Sequence, residues 1–64
     1  MIQNKINMKR YIIKDLENQN YLTILGNTDL VWEALKLNSI KDVKEFLEFK
    51  KGLFEVVTII DNRV

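Results

Sequence analysis

Sixty-four residues, 47% apolar and 30% charged, describe one small globular domain and not a disordered chain. There is no cysteine, histidine or proline, and ten basic residues nearly balance nine acidic ones. These facts exclude disulfide staples, the usual zinc, iron and copper ligands, and Ser–His or Cys–His nucleophilic catalysis; the net charge of +1 argues against a strongly basic nucleic-acid binder. A chain this short buries only about 60% of its unfolded surface. With staples gone and no cofactor expected, a tight core or association with another chain must supply stability.

The start, Met1-Ile2-Gln3-Asn4-Lys5, lacks the apolar core of a signal peptide, so a cytoplasmic location is the expectation. Residues 1–8 are polar with scattered Ile2, Ile6 and Met8, and either fray or extend the first strand. Arg10 to Leu16 and Tyr21 to Leu25 are rich in Ile, Leu, Tyr and Thr, which favours strands. The polar Glu17-Asn18-Gln19-Asn20 between them reads as the loop of a β-hairpin. A symmetric loop sets Leu16 opposite Tyr21, Lys14 opposite Thr23 and Ile12 opposite Leu25, all on one face. Tyr11, Ile13, Leu22 and Ile24 then share the other.

Gly26-Asn27-Thr28-Asp29 ends the second strand and offers three N-cap candidates. A helix is predicted from there to about Leu37, with Leu30, Val31, Ala34, Leu35 and Leu37 on one arc. Asn38-Ser39 interrupts it, and Ser39 with Asp42 resembles a capping box for a second helix reaching about Lys51, with Ile40, Val43, Phe46 and Leu47 on its apolar side. Gly52 is the expected helix stop. The last predicted strand is Leu53 to Ile60, apolar on both faces; the polar tail Asp61-Asn62-Arg63-Val64 is expected to be loose.

The predicted fold is therefore a two-layer α+β domain of order β-β-α-α-β, with a three-stranded, mainly antiparallel sheet packed on two short helices. Two such helices cover one face of a sheet. The other would carry Ile12, Leu16, Tyr21, Leu25, Leu53, Val57 and Ile59, with Arg10, Lys14, Thr23 and Glu55 among them. That is the composition of an interface. The alternatives are cover by the N-terminal segment, or a register slipped by one residue, which exchanges the faces. Trp32 falls off the helical stripe and suits a binding hot spot, or else packs at a rim.

The carboxylate pairs Asp29/Glu33 and Asp42/Glu45 suit helix starts and solvated helix faces better than catalysis. The expected function is thus a non-catalytic protein–protein interaction module: a phage- or mobile-element-type modulator of a host protein, or a homodimeric accessory factor. Its partner-binding residues would be Ile12, Leu16, Tyr21, Leu25, Val57, Ile59 and Trp32. The alternative is a small nucleic-acid-binding regulator using the basic tract Lys5, Lys9, Arg10 and Lys14 with Tyr11, although strand alternation divides that tract between two faces.

Overall fold

The computed structural model describes residues 6–63, with side chains described for residues 9–60. It is a small α+β domain built on a four-stranded antiparallel sheet and one α-helix. The strands are β1 (Ile6–Asp15), β2 (Asn20–Leu22), β3 (Asn27–Thr28) and β4 (Phe54–Arg63), in spatial order β3-β2-β1-β4. The helix is α1 (Ile40–Leu47).

The two long strands dominate. β1 and β4 pair without interruption from Ile6↔Arg63 to Asp15↔Phe54. Their Ile, Val, Tyr, Thr and Phe content suits a pleated surface. The first strand is already formed at Ile6, the first described residue, and Asp61 to Arg63, expected to be loose, belong to β4; residues 1–5 and Val64 lie outside the described residues.

The β1–β2 register differs from the expectation. Lys14, not Leu16, stands opposite Tyr21, and Asp15 opposite Asn20. The cause is Asp15. Its carboxylate accepts hydrogen bonds from the Glu17 N–H (3.0 Å), the Asn18 N–H (3.1 Å), Asn18 Nδ2 (2.8 Å) and Asn27 Nδ2 (3.0 Å). This Asx-type network closes the loop one residue early. Gln19 accommodates it at φ 60°, in the left-handed region. The shift is even in pairing terms, so the expected division of the β1 and β4 side chains between faces is retained.

β2 is also shorter than expected. The Thr23 N–H donates to the Gly26 carbonyl (2.7 Å) and turns the chain back into β3, leaving Ile24 and Leu25 as the tip of a tight hairpin. Ile24, expected beside Ile13 and Leu22, therefore lies outside the core.

The first predicted helix does not form. A single 3-10 turn at Val31–Glu33 gives way to extended chain at Ala34. The short β2 diverges from β1 at Leu22 and leaves unpaired backbone groups in the fork. The Leu35 N–H donates to the Leu22 carbonyl (3.0 Å), and Leu37 exchanges two 2.8 Å bonds with Tyr11. Buried backbone groups must be paired, and a helix of fewer than about twelve residues has little stability of its own to compete. Thr28, a candidate cap, instead accepts from the Leu30 N–H through Oγ1.

The second helix forms as α1. Ser39 caps it, Oγ accepting from the Asp42 N–H at 3.1 Å, a contact worth about 1 kcal/mol. It ends at Leu47, well before Gly52. Gly52 is not its stop. At φ 143° it serves the entry to β4, where an added Cβ would lie 2.8 Å from Glu17 Oε1 and 3.1 Å from the Phe54 ring.

The helix packs Val43 against Ile13 and Leu22, with Tyr11, Leu37, Phe46, Leu47 and Phe54 half-buried around them. The core is small. Among the described residues the buried apolar side chains are Ile12, Ile13, Leu22, Ala34 and Val43.

Candidate functional site

The structure distributes the expected partner-binding residues unevenly. Ile12 is 1% exposed and cannot meet a partner. On its face its neighbours by register are Arg10 and Lys14 along the strand and Val57 directly across. Long basic side chains lay their aliphatic stems over such a neighbour. Tyr21, Val57 and Ile59 are half-buried, and Leu16 stands exposed in the β1–β2 loop. Leu25 is 98% exposed and Trp32 69% exposed.

The hairpin tip is the most unusual local feature. A two-residue hairpin loop ordinarily uses Asn or Gly, because the favoured turns need positive φ. Here the loop is Ile24-Leu25, neither residue has positive φ, and Ile24 is 73% exposed. Two large aliphatic side chains thus stand in water where turn chemistry asks for small polar ones. Departures of this kind concentrate at functional positions.

Beside the tip runs an open groove of about 480 Å³, with Thr23 to Leu25 on one wall and Glu33 to Lys36 on the other. Its second wall is held by hydrogen bonds from Thr28 Oγ1 to Glu33 Oε1 (3.2 Å) and from Lys36 Nζ to the Trp32 carbonyl (3.4 Å). Trp32, 69% exposed, directly precedes that wall in the chain. The groove is therefore lined by apolar Ile24, Leu25, Ala34 and Leu35, with an acid, Glu33, and a base, Lys36, among them.

The basic tract does not assemble. Lys9 and Tyr11 lie on the face of Ile13, while Arg10 and Lys14 lie on the opposite face; Lys5 is outside the described residues. Lys14 stands across from Glu55 of the same chain, an opposite-charge pairing that suits adjacent strands.

No family model, no curated protein and no solved structure matches this chain. The reading of the surface accordingly rests on its own chemistry.

Ile24 and the open groove were not legible as a site in the sequence. The available signal was an aliphatic pair placed directly before Gly26.

Proposed function

We propose that this protein is a protein–protein interaction module whose contact surface centres on the Ile24–Leu25 tip, the adjoining groove and Trp32. The observation that carries this reading is the distribution of apolar side chains. Five are buried among the described residues, whereas eleven large ones are exposed, Leu25 and Trp32 among them. Ile24 and Leu25 join Ala34 and Leu35 in one apolar lining, and a contiguous apolar patch of this kind is what another molecule covers. Aromatic and aliphatic anchors beside a groove with a polar rim match the anatomy of protein interfaces.

A photo-crosslinking amino acid at Leu25 or Trp32, introduced in the cell that makes the protein, tests this. One discrete protein adduct, absent when the probe is placed at exposed Lys41 on α1, is the expected result. Labelling indistinguishable from the Lys41 control would remove the reading.

A further inference from the structure

The sheet has a second open feature, at the edge of β4. Among the described residues no strand pairs with its outer side. The direction of its backbone groups follows from Tyr11. Both Tyr11 backbone groups bond Leu37, away from β4. In an antiparallel ladder, residues alternate between pointing both groups at one neighbour and both at the other. Tyr11 pairs with Thr58, so Thr58 turns its N–H and C=O outward, and so do Phe54, Val56 and Ile60. Glu55, Val57 and Ile59 point theirs at β1; the Leu16 N–H bond to the Leu53 carbonyl (2.9 Å) fixes the same alternation.

From Phe54 to Ile60 this edge lacks the devices that keep sheet edges apart, the other charged residues of β4, Asp61 and Arg63, lying at its C-terminal end. Natural edges are short, or carry lysine, proline or a bulge. From Phe54 to Ile60 the strand is regular and holds one charged residue, Glu55. Three of the four outward-bonding residues, Val56, Thr58 and Ile60, are themselves exposed. A net charge of +1 places little repulsion between two copies.

We propose that a second copy of this chain pairs with the outer edge of β4, antiparallel, about a two-fold axis at Val57. This rests on the reading of the protein as an interaction module and names one partner. A two-fold axis at Thr58 would set Glu55 opposite Asp61 of the partner subunit, two like charges; the axis at Val57 avoids this and still pairs the edge from Phe54 to Ile60. Phe54 bonds Ile60 of the partner subunit, and Val56 bonds Thr58 of the partner subunit, each with its symmetry copy. Val57 meets Val57 of the partner subunit in the close, non-hydrogen-bonded position. All the outward groups from Phe54 to Ile60 are then paired, exposed Ile60 packs beside an aromatic ring, and no like charges face each other. The contact extends the sheet across both subunits.

Light scattering with backbone amide exchange tests this on the full chain. The expected mass is twice 7.6 kDa, with the Val56, Thr58 and Ile60 amides protected to the level of Val57 and Ile59. Thr58→Pro removes an outward N–H that β1 does not use, which a sheet edge tolerates. It is expected to weaken the dimer at least about 30-fold, through the bonds lost on both sides of the axis. Ile60→Lys, at a position 59% exposed, keeps every N–H and adds an edge lysine; it is expected to give monomer with an unchanged fold. A monomer mass up to about 1 mM, or a dimer whose Val56, Thr58 and Ile60 amides exchange as freely as in dilute chain, overturns the proposal. A monomer that still crosslinks to another protein through Leu25 or Trp32 defeats the β4 pairing alone. A monomer with no such crosslink defeats both readings.

Discussion

Leu22 and Leu25 sit three residues apart and should respond oppositely to the same substitution. Leu22 is buried against Ile13 and Val43, whereas Leu25 stands at the hairpin tip almost wholly in water. Removing a buried leucine side chain costs about 2–5 kcal/mol through lost transfer energy and the cavity left behind. A 64-residue domain has only about 3–10 kcal/mol of stability in total. Leu22→Ala should therefore remove a large part of it and leave the chain partly unfolded at room temperature. Leu25→Ala removes almost nothing from the folded monomer and should stay within about 0.5 kcal/mol of the parent. Urea unfolding of dilute protein measures both. With a slope of about 1 kcal/mol per molar urea, the midpoint should fall by about 2 M or more for Leu22→Ala and by under about 0.5 M for Leu25→Ala. Any cost of Leu25→Ala should emerge only when a partner is present, because a partner stabilises the folded state by mass action. A loss above about 1.5 kcal/mol for Leu25→Ala in dilute solution would show that the tip is sheltered within the chain, and the proposed contact surface would fall.

Three further outcomes follow from particular residues. Hydrogen bonds from the Asn18 side chain, then its backbone, then Asn27 and Glu17, hold the Asp15 carboxyl below its ordinary value of 3.8 against the opposing effect of burial. The stability it contributes is thus present above that value and lost as pH falls through the lower folded value; urea midpoints measured from about pH 5 to about pH 2 should drop, and less steeply in Asp15→Asn. Gly52→Ala should cost about 1–3 kcal/mol in thermal or urea unfolding, because φ 143° is strained for any side chain and the Phe54 ring stands 3.1 Å from the new Cβ; an unchanged midpoint would contradict that geometry. With Lys9 and Tyr11 on one face and Arg10 and Lys14 on the other, binding to DNA or RNA should be undetectable at about 50 mM salt; tight binding with a steep salt dependence would restore the basic tract as a site.

The sequence carried the long elements well. β-rich composition marked β1 and β4, alternation assigned their faces, and Ser39 with Asp42 marked the start of α1. What it did not carry was the consequence of single polar groups and of open hydrogen-bonding positions. Asp15 has four donors to satisfy it, and this moved the hairpin register in a way that no hydrophobic pattern encodes. The apolar arc from Leu30 to Leu37 has helical spacing, yet the fork between β1 and β2 drew Leu35 and Leu37 into extended pairing. Ile24 and Leu25 continue a strand-like run in sequence, so their place at a turn was hidden. The surplus of apolar surface was legible as an amount. Its location was not: Ile12, expected outside, is buried, and the most exposed apolar side chains are Leu25 and Ile24 at the tip, Phe49 after α1 and Trp32.

The most direct test is methyl NMR of the dilute chain with a soluble nitroxide. The Ile24 and Leu25 methyl signals should broaden strongly, while those of Ile12, Ile13 and Leu22 stay sharp. Equal protection of both sets would mean that the chain covers its own apolar surface, and the interaction module would lose its basis.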